Sequence, residues 1–225
     1  MSPNLEMEFI RLCGSGDLEE CKRFYAANPG INISAENERA FSLACYKGHL
    51  DIAKWLLEIK SDINISVNDE YTFRFVCNCG HLHIAKWLLD IKPEINISAE
   101  NEDAFRWACY KGHLHIAKWL LDIKPEINIS VWNEYPFRWV CDSGHLHIAK
   151  WLLEIKPDIN ISACNEEAFR FACSSGHLNV AKWLLEIKPG INIRAHGEYA
   201  LRHAYQNGHL NISRWIIHRM PSELQ

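Results

Sequence analysis

Repetition every 32 residues is the sequence feature that most constrains how this chain can fold. A glycine recurs at that interval along the whole chain, and a histidine and a tryptophan follow it at fixed offsets in most copies. The glycines are Gly16, Gly48, Gly80, Gly112, Gly144, Gly176 and Gly208. Periods of roughly 20 to 50 residues are typical of solenoids, propellers and other repeat arrays. The chain is therefore predicted to consist of seven similar units.

One unit, residues 101–133, shows the expected local structure. Residues 101–109 predict a short first helix with Asn101 as its N-cap. Residues 113–123 have apolar side chains at helical spacing and predict a second helix, which Pro125 ends because proline cannot continue the backbone hydrogen bonds. Residues 127–131 are β-prone and predict a short extended finger. Each unit should therefore be a helix, a turn, a second helix and a finger.

The repeated motif Ala-Cys-x-x-Gly-His-Leu-x-Ile-Ala-Lys-Trp-Leu-Leu, followed by Asp/Glu-Ile-Asn, resembles the ankyrin repeat, whose usual unit has about 33 residues. The resemblance covers essentially the whole chain. It implies an all-α ankyrin-repeat solenoid of seven helix-turn-helix units with short extended fingers and capping end repeats. The unit is one residue shorter than usual, and Lys60 and its equivalents replace the glycine that ends the second helix. This variant resembles the ankyrin proteins that are abundant in giant DNA viruses.

The repeats are expected to form a single domain over residues 1–225. Terminal units of a solenoid must cover the exposed end of the core with polar surface. We therefore expect a cap repeat over 1–34, five internal repeats over 35–194 and a second cap repeat over 195–225. In the first unit Asp17 and Arg23 stand where the others have histidine and tryptophan, and the last unit ends through polar residues to Pro221.

Composition and charge exclude several classes of protein. The formal net charge of -4 and the isoelectric point near 6.3 argue against a general nucleic-acid binder. No stretch approaches the ~18 consecutive apolar residues of a membrane span. The N-terminal residues lack the pattern of a secretory signal, and six of the nine cysteines form a 32-residue column rather than pairs. We therefore expect a monomeric cytoplasmic protein with free thiols, in the host cytoplasm if the protein is viral.

No pattern in the sequence predicts catalysis, a cofactor or a metal. Pairs such as His81 and His83 are two residues apart and do not share a helical face. Cys77 and Cys79 lack the redox spacing of Cys-x-x-Cys. The tryptophan column is interpreted as stacking surface between repeats, and Glu102 and Arg106 with their equivalents as charge ladders along the first helices. The protein is predicted to be non-enzymatic, with no cofactor and no metal.

Columns that vary between repeats are the candidate binding positions, because constant columns serve stacking. In the ankyrin family the variable positions line a concave groove of fingers and inner helices, so the resemblance implies a partner site there. Aromatic anchors dominate interface energetics. The predicted partner-binding residues are Trp107, Trp132, Trp139, Phe75, Phe171, Tyr71, Tyr135, Tyr110 and Tyr46. For Phe75 and Phe171, filling space between neighbouring helices is an equal alternative.

The leading functional hypothesis is a protein-binding module, an adaptor, scaffold or decoy acting on a host protein. An alternative follows from the resemblance of four repeat asparagines to ankyrin asparagines that an asparaginyl hydroxylase modifies. These are Asn64, Asn96, Asn128 and Asn160. The same asparagines would also support the turn by local hydrogen bonds. A third interpretation is an array expanded by duplication that has no fixed partner.

Overall fold

The computed structural model describes residues 5–220, and all regular secondary structure in that range is helical. Fourteen α-helices follow one another there, two for each 32-residue unit. Their bounds are α1 Leu5–Cys13, α2 Leu18–Ala27, α3 Ala35–Lys47, α4 Leu50–Ile59, α5 Val67–Asn78, α6 Leu82–Ile91, α7 Ala99–Tyr110, α8 Leu114–Ile123, α9 Val131–Asp142, α10 Leu146–Ile155, α11 Ala163–Ser174, α12 Leu178–Ile187, α13 Ala195–Gln206 and α14 Leu210–Ile217. The predicted all-α solenoid of helix-turn-helix units is confirmed. The ends of the predicted cap repeats, 1–4 and 221–225 with Pro221, lie outside the described residues.

The helices group into two compact units. The first contains the described residues up to 108 together with 115–125, and the second contains 109–114 together with the described residues from 126 onward. In the described range no helix is long and apolar enough to cross a membrane.

Each second helix is short and amphipathic because its apolar residues recur at helical spacing. In α8, Ile116, Ala117 and Leu120 are fully buried. The turn that precedes a second helix has a glycine at positive φ, for example +94° at Gly48. A side chain would be strained in that conformation, so the regular glycines set where each second helix begins.

The tryptophan column stacks neighbouring repeats within each compact unit. In the first unit the ring centroids of Phe73 and Trp119 lie 6.3 Å apart, and in the second those of Phe137 and Trp183 are separated by the same distance. Each pair joins the first helix of one repeat to the second helix of the next. These contacts confirm the predicted structural role of the column.

The cysteine column lies in the core. Its members are completely buried: Cys13, Cys45, Cys77, Cys109, Cys141 and Cys173. Burial raises the pKa of five thiols of the column, because a thiolate loses its hydration there. These are Cys45, Cys77, Cys109, Cys141 and Cys173. Cys79 and Cys164 are exposed instead. The column therefore contributes to the packing of the core, and its thiols are unreactive.

The fingers differ from the predicted extended strands. Only Ile127 and Asn128 lack regular structure before a turn leads into α9, and α9 opens with three residues in the left-handed region. The same three-residue left-handed turn opens α7, where Asn101 has φ 55° and ψ 58°. The prediction that Asn101 is an ordinary N-cap is therefore wrong, because such residues normally have extended backbone angles.

Candidate functional site

The first residue of each left-handed turn projects from the finger, and we call this position the tip. All six tips are exposed, with φ between 52° and 55°. They are Glu36, Asn68, Glu100, Trp132, Cys164 and His196. Left-handed backbone costs an L-residue about 1–2 kcal/mol. Three such residues in succession therefore require other contacts that stabilise the turn.

In the five fingers from Asn68 onward an arginine in the first helix supplies such contacts, and we call the arrangement the arginine clamp. The turn at Glu36 has Ser42 at that position. Arg138 donates from Nε to the carbonyl oxygen of Asn133 and from Nη2 to that of Trp132, both at 2.8 Å. The same pattern recurs for the other arginines of this column: Arg74, Arg106, Arg170 and Arg202. The clamp binds backbone oxygens, so it places no requirement on the side chain at the tip.

The clamp replaces the predicted glutamate–arginine ladder. In the repeat of α9, Glu134 accepts a hydrogen bond from the Ser130 hydroxyl at 2.6 Å, and Arg138 pairs with Glu167 of the following repeat. The ladder prediction assumed a continuous right-handed helix, in which residues four apart share a face. The left-handed turn moves Glu134 away from that face. A usable signal was present in the sequence, since an arginine stands six residues after every tip from Asn68 onward.

Four predicted binding residues come together in the second compact unit, and we call them the aromatic strip: Tyr110, Trp132, Tyr135 and Trp139. The ring centroids are 4.8 Å apart for Tyr110 and Trp139, 4.5 Å for Trp139 and Tyr135, and 5.4 Å for Tyr135 and Trp132. Trp132 meets the Tyr135 ring edge-on at 84° and remains 49% exposed. The other three rings are half-buried. The strip therefore runs from a half-buried base to an exposed indole at the tip.

Three further predicted residues form a tyrosine cluster in the first compact unit: Tyr46, Tyr71 and Phe75. The Phe75 ring lies 4.3 Å from that of Tyr71 and 5.9 Å from that of Tyr46. Burial raises the pKa of the Tyr46 phenol above its usual range, with a smaller contribution from Tyr71. Both tyrosines border a cleft of about 230 Å³ that Glu36 and Arg39 also line. Phe75 thus packs against both tyrosine rings, which border a polar cleft.

The two remaining predicted residues are Trp107 and Phe171. Trp107 is half-buried on α7 in the first unit. Phe171 is half-buried in the second unit, 6.0 Å from the ring of Tyr199, and the guanidinium of Arg170 lies 4.9 Å from that same tyrosine ring. Tyr199 is not among the predicted binding residues. Predicting its contact with Phe171 would have required knowledge of the stacking geometry.

The four predicted hydroxylation residues occupy equivalent, exposed places at the turn before each tip. Asn64 accepts from the backbone N–H of Ser66 through Oδ1 at 3.1 Å, and Asn96, Asn128 and Asn160 make the matching bond. Glu38 also accepts from the N–H of Asn64 at 3.3 Å, which ties one repeat to the next. The amide therefore has the predicted turn-stabilising role, and its residue is on the surface.

The regular histidines pack against the glycine turns of the preceding repeat. Nε2 of His49 lies 3.3 Å from the carbonyl oxygen of Gly14, and the His177 ring lies so close to Gly144 that a Cβ there would come within 2.4 Å of it. Burial lowers the pKa of His145, and the nearby His147 adds to this effect. In the described part of the chain no group of three or more His, Cys, Asp or Glu side chains is placed to hold a metal ion.

The helix pairs, glycine turns and fingers together identify the family. A family model described as ankyrin repeats (3 copies) matches residues 68–131 and 137–223, and a second, described as ankyrin repeats (many copies), matches residues 41–89. This chain belongs to the ankyrin-repeat family. Comparison with curated proteins finds no match. Ankyrin repeats are generally protein–protein interaction modules and are typically non-enzymatic.

Proposed function

We propose that this ankyrin-repeat chain binds a partner protein through the groove formed by its fingers and inner helices, with the aromatic strip as the main anchor. The observation that carries the proposal is Trp132, an indole 49% exposed at a tip whose backbone Arg138 holds in place. Trp, Tyr and Arg are the residues most enriched among interface hot spots. A pre-ordered indole loses little conformational entropy on binding, which favours affinity.

The other predicted residues are further candidate contacts for the partner. The tyrosine cluster presents two phenols beside a polar cleft, and Trp107 and Phe171 supply further half-buried rings. The seven repeats act as one domain over residues 1–225. In this proposal the protein acts by binding its partner and not by catalysis, as an adaptor, scaffold or decoy. The resemblance to giant-virus ankyrin proteins suggests a host protein in the host cytoplasm as partner.

The test is affinity purification from host lysate with wild type and the Trp107→Ala/Trp132→Ala/Trp139→Ala variant, followed by mass spectrometry. The expected result is a partner that wild type captures and the folded variant loses. Circular dichroism and thermal unfolding establish that the variant is folded. Ile155→Ala is the matched control, because it removes an exposed apolar side chain from the second helix α10.

Two outcomes contradict the proposal. Retention of the partner by the triple variant, with loss in the Ile155→Ala control, would place the site on the second helices. Failure of wild type to capture any specific protein would favour the interpretation of an array without a fixed partner.

A second candidate function is that of a substrate or sink for an asparaginyl hydroxylase. The observation that favours it is the repeated, exposed presentation of Asn64, Asn96, Asn128 and Asn160 at identical turns. Intact mass after co-expression with the hydroxylase tests it. One added oxygen atom for each modified asparagine is expected, and a mass identical to that of the unmodified chain rejects this function.

A further inference from the structure

The first finger, which leads into α3, has no clamp arginine but keeps the backbone conformation that the clamp binds. Glu36, Asn37 and Glu38 have φ/ψ of 54°/44°, 57°/59° and 60°/31°. The clamped turn that opens α11 has angles of 54°/45°, 59°/56° and 60°/33°. Because the two sets agree so closely, the carbonyl oxygens of Glu36 and Asn37 point in the same directions as the two that Arg170 binds in α11.

A serine stands at the clamp position of this finger, and its hydroxyl is bound elsewhere. Ser42 lies six residues after the tip Glu36, where the later repeats have arginine. The Ser42 hydroxyl is 2.7 Å from that of Thr72, and both residues are buried. At the position of Thr72 the later repeats have a smaller or apolar residue: Ala104, Pro136, Ala168 and Ala200. Ser42 therefore makes its hydrogen bond with the next repeat instead of with the turn.

The polar cleft of about 230 Å³ beside this turn is lined by the same groups that surround a clamp guanidinium. In α11, Arg170 donates to the carbonyl oxygens of Cys164 and Asn165 at 2.9 and 2.8 Å. Its guanidinium also lies 4.9 Å from the ring of Tyr199. The equivalent residues of the first finger, 128 positions earlier in the sequence, all line the cleft: Glu36, Asn37 and Tyr71.

The chemistry of the cleft favours a guanidinium over other cations. Two carbonyl oxygens on adjacent residues match the planar fork of guanidinium N–H donors, which an ammonium group lacks. The ring of Tyr71 offers a face for a cation–π contact, and the carboxylate of Glu36 adds negative charge. Arg39 also lines the cleft, but it is exposed and makes no hydrogen bond or ion pair with another of residues 5–220. Arg39 therefore does not take the place of the clamp.

We propose that the cleft at the first finger is a binding site for an arginine side chain of the partner protein. The incoming guanidinium donates to the carbonyl oxygens of Glu36 and Asn37 and lies against the ring of Tyr71, as Arg170 does within its own repeat. The partner thereby completes the one clamp that this chain does not supply to its own six fingers. The inference rests on the proposed function for the existence of a partner, and it specifies a chemical group that the partner presents.

The probe for this site is N-acetyl-arginine amide, titrated into the isotope-labelled full chain and followed by NMR through the amide signals of residues 36–38. Saturable shifts are expected there. N-acetyl-lysine amide has the same charge without the fork and should bind at least about fivefold more weakly. Tyr71→Leu should weaken binding of the arginine probe about threefold, and Tyr71→Phe, which keeps the ring face, should not. Absence of saturable shifts at residues 36–38, or equal affinity for the two probes, would overturn the proposal.

Two reciprocal variants locate the binding. Ser42→Arg/Thr72→Ala gives the first finger the residue types of the later repeats, so its own guanidinium should fill the cleft and weaken probe binding at least about tenfold. Arg170→Ser/Ala200→Thr makes the opposite exchange and should create a second site, seen as new saturable shifts at residues 164–166. Circular dichroism establishes that each variant is folded. Unchanged probe affinity in the first variant, or a folded second variant without new shifts, would contradict the assignment.

The probe experiments need no partner, so their failure is distinguishable from failure of the proposed function. A partner that depends on the tryptophans, together with absence of probe binding, would overturn this site and leave the proposed function intact. In the capture from host lysate, Ser42→Arg/Thr72→Ala should lower recovery of the partner at least about threefold, because the cleft is then filled. Recovery equal to that of wild type would show that the cleft does not receive an arginine of the partner.

Discussion

Trp132 and Phe137 are both aromatic residues of α9, and they lie in opposite environments. Phe137 is fully buried, with its ring centroid 6.3 Å from that of Trp183 in the next repeat. Trp132 lies at the tip and is 49% exposed. The left-handed turn and the clamp of Arg138 separate the two positions. The comparison indicates that each repeat has a stacking region that holds the array together and a tip region on which folding depends little.

The largest expected difference is in the free energy of unfolding after truncation of each ring. Phe137→Ala should lower it by about 3–5 kcal/mol, because it removes a fully buried ring and leaves a cavity. Trp132→Ala should lower it by less than about 1 kcal/mol, since the indole is 49% exposed and meets the Tyr135 ring edge-on. Urea unfolding followed by circular dichroism measures both. Equal losses of unfolding free energy in the two variants would contradict the division of each repeat into a stacking region and a tip region.

Removal of a clamp arginine should lower the free energy of unfolding by an intermediate amount. Arg138→Gln leaves two backbone oxygens and the carboxylate of Glu167 without their partner in a poorly hydrated place, at a cost of about 2–4 kcal/mol. Arg202→Gln is the matched control, because Arg202 is exposed and has no carboxylate partner in the described range. Arg202→Gln should lower the free energy of unfolding by about 1 kcal/mol or less. A small loss for Arg138→Gln in urea unfolding would show that the turn holds without the clamp.

Alkaline pH should weaken the stacking region selectively. An unfolded thiol titrates near its ordinary pKa of 9.0, and burial raises the pKa of Cys141 in the folded chain. Stability from the buried thiol is therefore fully present below pH 9 and is lost as pH rises above it, by about 1.4 kcal/mol per pH unit for each thiol. Comparing the urea midpoint of wild type at about pH 7.5 and about pH 10 measures the loss.

The matched variant for this pH test is Cys141→Ala, which should lose less stability than wild type between the two pH values. Cys164→Ser, at an exposed tip, should behave as wild type does. A pH response in Cys141→Ala equal to that of wild type would assign the alkaline loss to other groups.

The smallest perturbation, thiol labelling in native buffer, should distinguish the two regions without altering stability. Cys79 and Cys164 are exposed and should react quickly with a chromogenic disulfide reagent, whereas the six column thiols should react only as the array opens. The amplitude of the fast phase should correspond to two thiols and that of the slow phase to the rest. Fast labelling of Cys141 would contradict the packing of the stacking region.

Much of the architecture could be predicted from the sequence because stacking imposes one period on every column. The glycine, tryptophan and cysteine columns specified the turns, the contacts between repeats and the buried thiols, and each appears where its periodicity places it. The finger could not be predicted in the same way. Its β-prone residues suggest extended structure, but the backbone follows a left-handed turn whose stabilising contacts come from an arginine six residues later.

The residues of the candidate site could be predicted from the sequence, but the arrangement of their rings could not be predicted as well. Trp132, Tyr135, Trp139 and Tyr110 can be selected from the sequence because they are aromatic residues in variable columns. Their arrangement as one continuous strip depends on ring orientations, such as the 84° angle between Trp132 and Tyr135, that periodicity does not specify.

The arginine clamp has a consequence for how specificity can change in an array of this kind. Because the guanidinium binds carbonyl oxygens of the turn, substitution of the tip side chain leaves the hydrogen bonds of the clamp in place. The five clamped tips could therefore be varied together in a combinatorial library of residues without β-branching, at little cost in folding. The scaffold would then acquire new partners by single-codon changes, one in each repeat.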